Sequence, residues 1–294
     1  MADRPAGIID GGVHLWDPRR TDLWPFLASE ETTAATGVHS VPDIRRRFDE
    51  EVFLKEFAGW NPAGYVLVTT ASDPLAEVRE ADRAARETGL CRAVIGEVDV
   101  MRPDIEEQIA RLALSPILRG VRTSAALRFD HTSEAARTML ATLERRGLVY
   151  DLLALPQDAA SVASTLRDFP GLTVVVEHCG LPLAQVDDTE WRHSLEILAD
   201  REGPTFCKIS GLPLCRHETD GDVLRPYVDH CLNVFGPERC FFGSNFPPDG
   251  QFGTSLDTLY SRYLEIAAAR FPDHADALFR ENVTNAYGIF PARA

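Results

Sequence analysis

The residues able to do chemistry in this chain gather where short apolar runs end. His14 follows the run 7–13, Arg122 sits in 120–124, Asp151 lies within 148–153, and Glu177-His178 close 172–178. Lys208 and Ser210 end 205–210, Ser244 closes 240–244 and Asn245 follows it. Imidazoles at such positions can move a proton or bind a metal, guanidinium and ammonium groups hold anions, and an amide orients water or donates to an oxyanion. A His-x-His pair ending the first run would put two imidazoles on one face of a strand, ready to share one metal ion. Here that run reads Gly11-Gly12-Val13-His14, with a single imidazole.

These groups are positioned by an alternation of strand-like and helix-like segments. Apolar, β-branched runs recur at 7–13, 64–70, 92–98, 120–124, 148–153, 172–178, 205–210 and 240–244. Helical spacing separates or follows them at 43–57, 73–87, 104–114, 133–146, 158–168, 189–201, 223–235 and 255–269. In 73–87, Leu75, Val78, Ala81 and Ala85 mark one face and charged residues the other. Asp43 and Asp73 stand where N-caps belong. Strands apolar throughout, alternating with helices, predict a closed parallel (β/α)8 TIM barrel. One domain over 1–294 is expected, with 17–40 as a loop over the barrel mouth. A doubly wound open sheet is the alternative, but the turn after the first strand lacks the Gly-x-Gly-x-x-Gly pattern. In a barrel the strand C-termini form the mouth where function concentrates.

Bulk properties narrow the partners. The hydrophobic share of 45% and charged share of 26% suit a globular protein with a full core. A net charge of −15 excludes a nucleic-acid partner, which demands basic patches. No run of about 20 apolar residues is present, so no membrane partner is expected and a cytoplasmic location follows. The six cysteines are scattered without a Cys-x-x-Cys pair and read as reduced, mostly buried thiols. A small-molecule substrate is the expected partner, and the surface composition is compatible with a homo-oligomer.

From end to end the chain resembles the amidohydrolase superfamily, in its branch of sugar-lactone and 2-pyrone-4,6-dicarboxylate lactonases. The resemblance rests on the stretches 9–18, 120–122, 147–153, 175–182, 207–212, 224–230, 235–239, 242–247 and 281–287, in order. It implies a (β/α)8 barrel. Two departures stand out. The family's first-strand His-x-His appears as Gly12-x-His14, and its eighth-strand aspartate falls on Asn245. An amide cannot act as a general base at neutral pH, although it can orient water.

His14, His178 and Asn245 are therefore the candidate catalytic residues, and no cofactor is expected. The alternative is one divalent metal, zinc or manganese, on His14, His178 and Asp151. Glu177 would point away from His178 on an ideal strand, which makes it a poor ligand. Arg122 and Arg128 have the spacing with which dicarboxylate-lactone hydrolases hold substrate carboxylates. The bland reading pairs Arg122 with an internal acid such as Asp99 or Asp151. Asp151, Lys208 and Trp16 complete the candidate substrate-binding set, although the simplest role for Lys208 is an ion pair with a barrel acid. Cys179 is expected behind the sheet, His39 and His217 lie on loops able to reach the mouth, and Asp249 could replace the missing carboxylate if its loop folds inward.

The leading expectation is a hydrolase that opens a lactone or related ester in a small oxygenated, carboxylate-bearing substrate without a tightly held metal. Non-hydrolytic acid/base chemistry (a decarboxylase, lyase, isomerase or cyclase) is the alternative. A non-catalytic binding relative is the second alternative.

Overall fold

Strand order follows sequence order in a single parallel sheet. The strands are β1 (Ile9–Val13), β2 (Gly64–Val68), β3 (Cys91–Val98), β4 (Leu118–Thr123), β5 (Val149–Leu152), β6 (Val174–Val176), β7 (Thr205–Ile209) and β8 (Cys240–Phe242). This computed structural model describes residues 4–5, 7–34, 42–123 and 129–289. The helices are α1 (Glu30–Ala34), α2 (Glu50–Glu56), α3 (Pro74–Thr88), α4 (Ile105–Leu112), α5 (Glu134–Arg146) and α6 (Ala159–Leu166). They continue as α7 (Asp188–Ala199), α8 (Leu212–Arg216), α9 (Gly221–Phe235), α10 (Leu256–Arg270) and α11 (Asn282–Ala286). The barrel expected from the sequence is the fold observed.

The seam between β8 and β1 closes through few bonds. His14 N donates to Phe246 O at 2.7 Å, beside a parallel bridge between Val13 and Phe246. Below it the buried Asp10 carboxylate accepts from Ser244 N at 2.9 Å and Gly12 N at 3.1 Å. A side chain on Gly11 would run 2.6 Å from the Phe241 ring, so a glycine lets the two strands approach.

Strand alternation divides the core in two. Ile9, Val66, Val68, Ala93, Ile95, Val149, Val175 and Phe241 fill the barrel and pack against Val283, Ala286 and Tyr287 at the end of the chain. The opposite faces, with Tyr65, Val94, Val121, Tyr150, Val176 and Ile209, pack in the larger cluster shared with the helices. Caps lie where local chemistry asks for them: Asp73 accepts from Ala76 N and Ser133 from Ala136 N.

Two expectations change. The helix expected over 43–57 is split into a 3-10 turn at Pro42–Arg45 and α2, capped by Asp49. Phe48 is held extended between them, exchanging backbone bonds of 2.8 and 2.9 Å with Trp16. The loop expected over 17–40 carries a 3-10 turn at Pro25–Leu27 and α1, and it buries Leu23, Trp24 and Leu27. Positions 35–40, with His39, lie outside the described residues. All six cysteines are free and buried. Among the described residues no helix is long and apolar enough to cross a membrane.

Candidate active site

Above the apolar filling, the inward positions turn polar. Lys208 from β7 donates to Asp151 Oδ2 at 2.7 Å and Glu177 Oε1 at 3.0 Å, with all three side chains essentially inaccessible. Tyr287 donates to Asp151 at 3.0 Å from below. Burial disfavours a charge on Lys208, yet Asp151 and Glu177 outweigh it and hold the ammonium above its ordinary value. Burial likewise works to raise Glu177, but Lys208, His178 and Arg122 together hold it below the usual carboxylate range. Asp151 is raised by burial, with Lys208 opposing and Glu177 adding to the rise. Buried charges are tolerable because they are paired with this geometry.

Arg122 extends the network toward the mouth. Its Nη2 donates to Thr69 O at 3.0 Å and to Glu97 Oε2 at 3.4 Å, and Nη1 lies 3.8 Å from Glu177 Oε2. The bland reading named Asp99 or Asp151 as its partner; Glu97 and Glu177 are the acids it meets. Its buried Nε and the Glu177 Oε2 atom have no hydrogen-bond partner among the described residues.

The two histidines are each held through Nδ1, His14 on a backbone carbonyl and His178 on a hydroxyl. His14 Nδ1 lies 2.7 Å from Val68 O. A carbonyl only accepts, so Nδ1 carries the proton and Nε2 presents a lone pair. Burial, reinforced by Arg122, lowers His14 to about 3. His178 lies two residues beyond the end of β6, with φ 50 in the left-handed region. Its Nδ1 is 2.9 Å from Ser210 Oγ, and its ring lies on Gly211, where any Cβ would stand 2.5 Å from Nδ1. Burial lowers His178 to about 4, with Lys208 and Arg122 contributing and Glu177 opposing. Both imidazoles are neutral at neutral pH.

At the eighth strand end, Asn245 also has a left-handed backbone, φ 49, which asparagine tolerates. Its Nδ2 donates to Asp249 Oδ1 at 2.9 Å, and both side chains are buried. Burial raises Asp249 to about 7, against the Asn245 bond. The loop after β8 thus returns a carboxylate to Asn245.

Several sequence expectations are corrected here. Glu177 shares the barrel interior with His178. Glu177 is still extended and keeps the inward face of Val175, while the alternation breaks at His178, so both side chains reach the interior despite being adjacent. Asp151 is not open to a ligand, since Lys208 and Tyr287 engage it at zero exposure, and Lys208 is equally inaccessible. Trp16 is packed against Phe26 and Phe48, with its Nε1 given to Ile44 O at 3.0 Å. Arg128 lies outside the described residues.

Among the described residues no three His, Cys, Asp or Glu side chains converge on one ion position, and Asp151 of the alternative ligand set is already engaged. Sequence reasoning missed Glu97, Tyr287 and Asp10. Glu97 was legible, because Ala93, Ile95 and Glu97 alternate inward along β3. Tyr287 carried no local signal.

Comparison with known proteins agrees with this architecture. The amidohydrolase family model matches residues 9–289. The chain is 30% identical over 302 residues to L-fucono-1,5-lactonase of Burkholderia ambifaria, covering 96% of this chain and 95% of that protein. In fold it is similar to a zinc-bound amidohydrolase from Burkholderia multivorans, with TM-score 0.80, 22% identity and coverage of 97% and 100%. It is also similar in fold to 5-carboxyvanillate decarboxylase of Sphingomonas paucimobilis, with TM-score 0.68, 13% identity and coverage of 97% and 100%. With the family model spanning nearly the whole barrel, the chain belongs to the amidohydrolase family and is an enzyme of its lactonase-like branch.

Proposed function

We propose that this enzyme hydrolyses a lactone or related ester in a small oxygenated, carboxylate-bearing substrate without a resident metal ion. The carrying observation is the Lys208 ammonium, held by Asp151 and Glu177 beside Gly12, where a cation is fixed by the chain itself. Similarity to the lactonase relative supports the bond type. The Arg122 guanidinium at the mouth, its Nε without a partner among the described residues, supports an anionic group on the substrate.

In this reading the neutral His14 Nε2 accepts a proton from the attacking water as its oxygen bonds to the carbonyl carbon. The imidazolium returns that proton to the ring oxygen as the carbon–oxygen bond breaks, which leaves a hydroxy acid. Arg122 anchors the substrate carboxylate, His178 assists the proton transfer, and Asn245 orients the water or the oxyanion.

The test is elemental analysis of purified protein, with lactone turnover measured before and after chelation in oxygen-labelled water. Unchanged activity, less than stoichiometric metal and one labelled oxygen per product are expected. Near-stoichiometric zinc or manganese with activity lost on chelation overturns metal independence. Release of carbon dioxide without label incorporation would select the second reading, acid/base decarboxylation, which the fold shared with a decarboxylase favours. Unchanged turnover in His178→Ala removes that histidine from the mechanism.

A further inference from the structure

Ser210 follows β7 directly and has no part in the mechanism above. Its side chain is fully buried, and its hydroxyl oxygen lies 2.9 Å from Nδ1 of His178. The imidazole is pinned there from two sides. Ser210 meets Nδ1, and Gly211, with φ 66, leaves the room that the ring occupies. A Cβ on Gly211 would stand 2.5 Å from Nδ1 and 2.7 Å from Cγ of the histidine.

The direction of the Ser210–His178 bond follows from what the hydroxyl has to satisfy. A hydroxyl is donor and acceptor at once, whereas a ring nitrogen is one or the other. Among the described residues Nδ1 is the only acceptor bonded to the Ser210 hydroxyl, and at 0% exposure the residue has no surface on which solvent could stand in. If Nδ1 carried the proton, the hydroxyl would accept and its own proton would be left buried and unpaired. A doubly protonated ring fails in the same way. The hydroxyl therefore donates, Nδ1 is bare, and the single proton of the ring sits on Nε2.

His14 has the opposite arrangement, because Val68 O can only accept and so fixes the proton on Nδ1. The two rings share one neighbourhood: Arg122 and Glu177 act electrostatically on both, and His178 acts on His14. His178 is half-buried, and among the described residues only its Nδ1 makes a hydrogen bond.

We propose that Ser210 is a positioning residue that holds His178 as the tautomer with its proton on Nε2, so that His178 donates where His14 accepts. The catalytic consequence, unlike the tautomer, rests on the hydrolytic reading. As His14 takes the proton of the attacking water, negative charge develops on the substrate oxygens, and the Nε2–H of His178 donates to one of them. His178 assists the proton transfer in this way and offers no lone pair of its own.

The test is long-range proton–nitrogen correlation spectroscopy of the full-length protein, labelled in its histidine ring nitrogens, which separates a protonated nitrogen from a bare one. Signals missing from His178→Ala and His14→Asn identify the two rings. The parent protein is expected to show a bare Nδ1 and a protonated Nε2 in His178, and the reverse in His14. Ser210→Ala should mix the two tautomers of His178 and leave His14 unmoved. On a panel of six-membered lactones with and without a carboxylate, 2-pyrone-4,6-dicarboxylate among them, it should lower kcat by about tenfold with KM little changed. Ser210→Thr, which restores a hydroxyl, should recover both. A proton on Nδ1 of His178 in the parent protein, or an unmoved His178 spectrum in folded Ser210→Ala, overturns the tautomer. Mixing in Ser210→Ala with kcat unchanged overturns the positioning role. If the parent turns over no lactone of the panel, the hydrolytic reading falls, and the spectra still decide the tautomer.

Discussion

Gly12 lies against Lys208: a Cβ carbon on Gly12 would stand 3.5 Å from Lys208 Cδ and 3.8 Å from Nζ. The missing first-strand imidazole and the interior ammonium are thus two sides of one arrangement. A ring at position 12 would compete for the volume that the end of the lysine occupies. Gly12→His should lower stability by about 1–3 kcal/mol through overpacking, read from urea unfolding. It should also gain no zinc affinity in a metal titration. Tight zinc binding by this single variant would show that the lysine yields.

Removing the lysine is expected to be worse than crowding it. Lys208→Met strands Asp151 and Glu177, both inaccessible, without their shared cation. Breaking such a pair costs about 3–5 kcal/mol, which a urea midpoint should register. A loss under about 1 kcal/mol would mean that the carboxyls take up protons with little penalty.

His14→Asn separates the structural bond from the base. The amide can still donate to Val68 O, while the lone pair on Nε2 disappears. Turnover should fall about 10²–10⁴-fold with the fold retained, measured as kcat alongside a thermal melt.

The histidines also set an acid limb. His14 is held at about 3 and His178 at about 4, both below the ordinary 6.5. Between those values the unfolded chain binds more protons than the native one. Their contribution is therefore full above 6.5 and is lost as pH falls through the folded values. Unfolding midpoints taken from ~pH 7 to ~pH 4 should drop less in His14→Asn than in the parent protein. Parallel curves would assign the acid limb to other groups.

Asn245→Asp would place a second carboxylate at the 2.9 Å contact with Asp249. Two acids at that distance share one proton, so the variant should tolerate ~pH 5 and lose roughly 1–3 kcal/mol more at ~pH 8. Thermal melts at the two pH values read the difference. No pH dependence would mean that the loop carrying Asp249 moves away.

Asp10 holds the seam. Asp10→Ala leaves the Ser244 and Gly12 amides without their acceptor, at about 1–3 kcal/mol for each one left buried and unpaired. Asp10→Asn keeps an acceptor oxygen and should lose less. Hydrogen exchange at the Ser244 amide should accelerate in the alanine variant and change little in the asparagine variant.

Local chemistry made much of this molecule legible before folding. The β-branched runs and the cap at Asp73 follow from short-range preferences, whereas Asp43 falls inside a 3-10 turn, and the strands lie close to where those runs predict them. The helix start moved to Asp49 because Phe48 is tied to Trp16, a contact over thirty residues away that no local pattern encodes. His14, Arg122, His178 and Asn245 stood out because each follows or ends an apolar run. Glu177 was set aside by giving the inward face to His178 and the outward one to its neighbour, whereas Glu177 keeps the inward face of Val175 and the chain turns at His178.

The sequence by itself determined the barrel, the loss of one imidazole and one carboxylate, and the polar types available at the strand ends. Those are properties of residue identity and short-range spacing. Only the tertiary structure decided what each group meets: Lys208 between Asp151 and Glu177, His14 on the Val68 carbonyl, and Asn245 on Asp249. Such pairings depend on the angle at which eight strands close around one axis, and burial then sets which of the groups carries a proton.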